Sequence, residues 1–258
     1  MHSIIGKNGA ERSTTLRDAR KLNLLPSVTS ILSILAKPGL EAWKQEQAIL
    51  AALTLPRIAG ENDDAFAARV VADMNAQVEK AGDFGTRIHA GIESINSGHT
   101  PNDPELAPWL EHYATWQRAS IVRGVDSGTP LITAAETVVT SDGYAGRLDI
   151  VCEHAEHGTT LIDFKTQNVK NGKPQFYETW CAQLAAYRAA LPEKLRGVHC
   201  LSLVIDSNTP AAPIEKLWTE DELATGLAIF HHARDVWQLQ RGYKPAHAAN
   251  AINVKAHE

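Results

Sequence analysis

Three ionisable residues stand among aliphatic neighbours in GRLDIVCEHAEHGTTLIDFKT, residues 146–166. Asp149 lies in RLDIVC, and Asp163 and Lys165 lie in LIDFKT. Both runs are short, apolar and separated by a polar turn, so they read as a strand hairpin. Strand side chains alternate faces, which puts Asp163 and Lys165 on the same one. If the turn is the five residues HAEHG, Glu153 pairs with Thr159 and Asp149 falls opposite Asp163. Opposed residues share a face at roughly 4.5–5.5 Å, so two carboxylates and an ammonium group meet at one spot. On a solvated face this would be an ordinary salt-bridge arrangement. Here Ile150, Val151, Leu161, Ile162 and Phe164 make both strands apolar on both faces, as inside a sheet. Adjacent carboxylates repel, and burial sharpens the repulsion. A hard divalent cation with oxygen ligands relieves it. A lysine beside such an ion can orient water or neutralise charge developing on a phosphate.

Other candidates are weaker taken singly. Gln183 and Tyr187 are one helical turn apart and share a face. His89 and Glu93, in GTRIHAGIE, share a face in the same way, and the small residues Gly85, Ala90 and Gly91 would let their helix approach a sheet closely. Glu136 stands at or within the strand before the hairpin, where a glutamate is ordinarily solvated. Ser27 and Thr29 suit either helix capping or a phosphate contact. Arg87, Lys170 and Lys173 are candidate contacts to a phosphate backbone. The pairs His154/His157 and His231/His232 lack acids at a useful spacing and read as surface.

The elements that must position these residues change character along the chain. The first 120 residues read as helices behind a polar lead-in over 1–23. One helix enters at Ser27 or Thr29. A second is PGLEAWKQEQAILAAL, and a third is capped at Asn/Asp and ended by Gly82. A fourth ends at Gly98, and a fifth has Asp103 as N-cap with Pro104 at its first position. Four strands follow, LITAAETVVTS, GRLDIVCE, TTLIDFKT and VHCLSLVID, with a helix between the third and fourth. A last helix has a Thr219/Glu222 capping box and Gly242 at its end, before a weakly structured tail over 243–258. The expected fold is a mixed α/β core over 121–242 behind a helical region over 24–120.

With 258 residues, 44% hydrophobic and 21% charged, the chain has the composition of a globular protein. It shows no transmembrane stretch and no apolar secretion signal, so cytoplasmic residence is expected. Cys152, Cys181 and Cys200 form no CxxC pair and read as buried thiols. The formal charge of −5 advertises no nucleic-acid partner, so any basic surface must be local.

D-x13-D-x-K on a hairpin, followed by a helix bearing Q-x-x-x-Y, resembles the PD-(D/E)XK nuclease superfamily in its RecB-like and lambda-exonuclease-like branch. LPSVTSIL, EAWK, GTRIHAGIE and AAETVV are similar to segments of the mitochondrial genome-maintenance exonucleases and their phage and bacterial relatives. The likeness covers roughly residues 24 to 240. No proline precedes Asp149, and the four cysteines of some RecB-like iron–sulfur clusters are absent, so no cluster is expected. The resemblance implies a restriction-endonuclease-like sheet flanked by helices, and metal-assisted phosphodiester hydrolysis with Mg²⁺ or Mn²⁺. It makes His89, Asp149, Asp163 and the Phe164 carbonyl metal ligands and Lys165 the catalytic lysine. It places Glu136 near the metal, with Gln183 and Tyr187 orienting the lysine or contacting a phosphate. Its implied substrate is DNA, single-stranded with a free end, and its implied partners are a single-strand-binding or recombination protein and no membrane. A lambda-type duplex exonuclease and a non-catalytic DNA-end-binding module are the alternatives.

Overall fold

A computed structural model describes residues 3–5 and 11–245. The chain opens with an antiparallel ribbon, β1 (Ser3–Ile5) and β2 (Glu11–Ser13). Helix α1 (Leu16–Leu22) follows, closed by a capping box between Thr15 and Asp18. The stretch expected to be a polar lead-in therefore carries a capped helix. Ser27 caps α2 (Val28–Leu32), accepting from the Ser30 amide at 3.1 Å. Helix α3 (Pro38–Thr54) starts at its proline.

The next helix corrects the sequence reading. α4 (Asp63–Asn96), capped by Asn62, runs straight through Gly82 instead of ending there. A glycine stops a helix by turning left-handed, and Gly82 has no such conformation. The turns beyond it bury Ile88 and Ile92, which holds the helix together across the weak point. α5 (Ala107–Ser120) begins one turn later than expected, with Leu106 rather than Asp103 at its cap. The Asp103 carboxylate is instead occupied by Arg87, at 2.8 Å to each oxygen.

The first expected strand breaks at Glu136 (φ 47°) into β3 (Ile132–Ala135) and β4 (Val138–Ser141). The second breaks at Leu148–Asp149 into β5 (Tyr144–Arg147) and β6 (Ile150–His154). β7 (Gly158–Gln167), α6 (Glu178–Ala190) and β8 (His199–Asp206) follow as read. β9 (Ile214–Trp218) was not foreseen. α7 (Glu220–Arg241) has the expected Thr219/Glu222 capping box and a left-handed Gly242. The chain is a mixed α/β protein, with seven α-helices among the described residues. Its five-stranded sheet has the order β3-β6-β7-β8-β9; β7 and β8 are parallel across α6, and the other pairs are antiparallel. β4 and β5 form a separate ribbon.

Side-chain alternation gives this sheet two cores. Ile150, Cys152, Ile162, Phe164, Leu201 and Leu203 pack under α4 and α5. Val151, Leu161 and Cys200 pack under α2, α6 and α7. The three cysteines are buried thiols, and burial pushes Cys152 and Cys200 up to about 12. Of the tail expected to be weakly structured, Tyr243 is packed, its hydroxyl 2.9 Å from the carbonyl oxygens of Ala19 and Leu24; residues 246–258 lie outside the described residues. No helix among the described residues is long and apolar enough to cross a membrane.

Candidate active site

The hairpin pairs in the register read from its turn, Glu153 opposite Thr159 and Ile150 opposite Ile162. The ladder stops at that second pair, so Asp149 lies just outside β6, in the link from β5. Both strands lie inside the sheet, so the Asp163 side chain is only 4% exposed. Lys165 Nζ stands 2.6 Å from Asp163 Oδ2 and donates to Gln183 Oε1 at 3.0 Å. The Gln183 amide in turn donates to Asp163 Oδ1 at 2.9 Å and lies 3.1 Å from the Tyr187 hydroxyl. Helix α6 thus grips the acid and the lysine with one side chain, and Tyr187 braces it. Tyr187 fits because Gly146 on β5 leaves room for its ring. The buried Asp163 Oδ2 has the Lys165 ammonium as its close partner.

Asp149 Oδ2 accepts the Phe164 amide at 2.6 Å. Burial, reinforced by the neighbouring Asp163 charge, pushes the Asp149 carboxyl well above the usual range. From the opposite side of the sheet α4 brings His89, whose Nδ1 lies 3.8 Å from Asp149 Oδ1 and whose ring meets Phe164 edge-on. Its approach depends on Gly85, where a Cβ would stand 3.0 Å from Thr166 Oγ1 on β7; Gly91 instead makes room for Leu110 of α5. Burial lowers the His89 pKa and Lys165 adds to this, against Asp163 and the Phe164 carbonyl. The ring is therefore held neutral, with a lone pair to offer. Glu136 is not in a strand but in the left-handed link between β3 and β4, paired with Arg147 at 2.5 Å. Burial raises its pKa, and Arg147 opposes this. His89, Glu93, Glu136 and Arg147 line an open cleft of about 500 Å³ with Gly85 and Thr86.

The remaining candidates scatter. Arg87, two residues from His89, faces away from the cleft and is held by Asp103 and by Glu105 at 2.7 Å, so it is not positioned as a phosphate contact there. Ser27 spends its hydroxyl on its own cap and on Thr29 and Ser30, at 3.1 and 2.8 Å. Lys170 and Lys173 flank a turn made by left-handed Asn171 and Gly172 just beyond β7, with Lys170 3.3 Å from Glu46.

Two features escaped the sequence reading. Arg147 is 60% exposed at the cleft mouth, and its signal was an arginine two residues before the first acid of the hairpin. His154 is not on the surface: it is 3% exposed, stacked on His157, with Nε2 3.6 Å from Glu215 Oε1. His154, His157 and Glu215 form a group that could hold a metal ion. The acid that completes it sits on β9, the strand the sequence did not disclose. His231 and His232 are exposed, as expected.

Asp149, Asp163 and His89 are residue types that a divalent cation takes as ligands, but the group among the described residues whose ligand atoms all lie within 4.8 Å of one another is His154, His157 and Glu215. No family model matches the chain, and no curated protein matches it.

Proposed function

We propose that this chain is a divalent-metal-dependent DNA exonuclease with a restriction-endonuclease-like core of the PD-(D/E)XK type, acting on single-stranded DNA with a free end. The observation that carries the proposal is the buried cluster of Asp163, Lys165 and Gln183 with Asp149 and His89 beside it, His89 also lining an open cleft. A structural salt bridge between Asp163 and Lys165 has no use for a second buried carboxylate and an imidazole at the same point. Asp149, Asp163, His89 and the Phe164 carbonyl would hold a Mg²⁺ or Mn²⁺ ion. When bound, such an ion polarises a phosphate and eases ionisation of an attacking water. Gln183 fixes Lys165 within reach of charge developing on that phosphate. Arg147 at the mouth, with Lys170 and Lys173 beyond β7, supplies cations for the DNA backbone. The free-end requirement rests on the family resemblance and on the helices that precede the sheet.

End-labelled linear single strands, duplexes and covalently closed single-stranded circles, each with Mg²⁺, Mn²⁺ or EDTA, test the reading. Linear single strands should be degraded with either metal and survive in EDTA, while circles survive throughout. Prompt nicking of circles would make the enzyme an endonuclease. DNA binding without cleavage under every condition would leave an end-binding module.

A further inference from the structure

We propose that His154, His157 and Glu215 form a second metal site, of the Zn²⁺ class, that pins edge strand β9 to the β6–β7 hairpin. The ligand atoms of the three residues already lie within 4.8 Å of one another. A tetrahedral ion with bonds of roughly 2.0–2.2 Å needs them about 3.4 Å apart, a closure of at most about 1.4 Å. Two imidazoles, which are borderline ligands, beside one carboxylate suit zinc better than magnesium. A water would take the fourth position.

The observation that points to a ligand, and not merely to a polar cluster, is His154 Nε2. It is buried, it has no hydrogen-bond partner, and it is aimed at Glu215. Its other nitrogen, Nδ1, accepts the Glu156 amide at 3.2 Å. In the neutral ring the proton therefore sits on Nε2. Coordination through Nε2 shifts that proton to Nδ1 and gives up the Glu156 bond. Glu156 is exposed, so water can take over its amide. Trp116 Nε1 donates to Glu215 Oε1 at 2.5 Å, fixing the carboxylate as supporting groups fix metal ligands. A carboxylate has lone pairs beyond the one this bond uses. His157 and Glu215 are only partly buried, which gives an ion a path in. The benefit would fall on β9, which pairs with β8 alone.

The site stands independently of the nuclease reading, and its test removes the hairpin acids. The full chain carrying Asp149→Asn and Asp163→Asn, made without a histidine tag and stripped with chelator, is titrated with Zn²⁺ by calorimetry, with bound zinc counted by elemental analysis. One zinc per chain is expected, with a Tm rise of about 5 °C at saturation. X-ray absorption should show only nitrogen and oxygen ligands at roughly 2.0–2.2 Å. His157→Ala, in a partly exposed turn, and Glu215→Gln, which can keep the Trp116 bond, should each weaken binding by at least about 100-fold in the same background. The proposal is overturned if the parent binds no stoichiometric zinc, or if either variant binds it as the parent does.

Discussion

Replacing Asp149 by asparagine should stabilise the chain at alkaline pH when divalent cations are absent. Asp149 lies at the end of the β6–β7 ladder with its Oδ2 on the Phe164 amide, and the neighbouring Asp163 charge bears on its carboxyl. At roughly 5 Å and an effective dielectric constant of about 20, two negative charges repel by about 3 kcal/mol. Lys165, 2.6 Å from Asp163, screens part of this. An asparagine carbonyl can still accept the Phe164 amide that Asp149 now takes. The net gain should be about 1–2 kcal/mol, or roughly 2–8 °C in Tm for a chain of this size. The sign follows from linkage. Burial and Asp163 raise the folded-state pKa of Asp149 above its unfolded value, so the folded chain binds the extra proton. Its stability is then greatest below the ordinary carboxylate range and falls as pH rises through the raised folded value. Thermal melts of both proteins in EDTA at about pH 8 and about pH 5 measure this directly. The variant should lead at the higher pH, and the gap should narrow at the lower one. Added Mg²⁺ should raise the wild-type Tm and not that of the variant. An asparagine variant less stable than wild type at about pH 8 in EDTA would refute the picture of two mutually repelling buried acids.

Three further substitutions probe the same cluster. Asp163→Ala and Lys165→Ala should each lower single-turnover cleavage by at least about a thousandfold with the fold retained, and Asp163→Ala should bind DNA at least as well as wild type; wild-type turnover in either removes the assignment. His89→Ala should weaken metal affinity, measured by titrating activity with each ion, and should cost more with Mn²⁺ than with Mg²⁺ because imidazole suits manganese better. Gly146→Ala places a methyl group against the Tyr187 ring; it should destabilise by about 1–3 kcal/mol and, by loosening Gln183, lower the cleavage rate more than Tm alone explains.

The hairpin was legible because everything that fixes it is local. Strand alternation sets the faces, the turn length sets the register, and Ile150, Val151, Leu161 and Ile162 mark the strands as internal. Capping boxes are equally local, and Thr219 with Glu222 behaves as its spacing dictates. What the sequence concealed depends on distant partners. Asp103 has the spacing of an N-cap, but Arg87, sixteen residues earlier, claims its carboxylate. Gly82 has the look of a terminator, but the helix continues because Ile88 and Ile92 bury against the second core. His154 cannot be told from a turn residue until Trp116 from α5 and Glu215 from β9 close over it. The reach of His89 to the acids was suggested by its small neighbours; only the contact between Gly85 and Thr166 ties that suggestion to geometry.

The break at Glu136 explains how an open cleft comes to lie beside the buried acids. The chain changes sheets twice at one level, at Glu136 between β3 and β4 and at Leu148–Asp149 between β5 and β6. The two crossings are tied together by their backbones: Glu136 N–H donates to the Asp149 carbonyl at 2.8 Å, and Leu148 N–H donates to the Thr137 carbonyl at 3.0 Å. β3 and β6 belong to the central sheet while β4 and β5 form their own ribbon, so the sheet ends where Asp149 begins. The Asp149 carboxylate at that edge turns one oxygen to the Phe164 amide, with His89 of the cleft wall 3.8 Å from the other. A glutamate in the left-handed region costs roughly 1–2 kcal/mol, and here the cost falls at the residue that, with Arg147, forms the wall of that gap. Backbone strain at Glu136 and the repelling carboxylates of Asp149 and Asp163 therefore sit in adjoining parts of the structure, tied by the Glu136–Asp149 backbone bond. This coincidence of strain and repelling charge supports the proposal that the site is kept for chemistry.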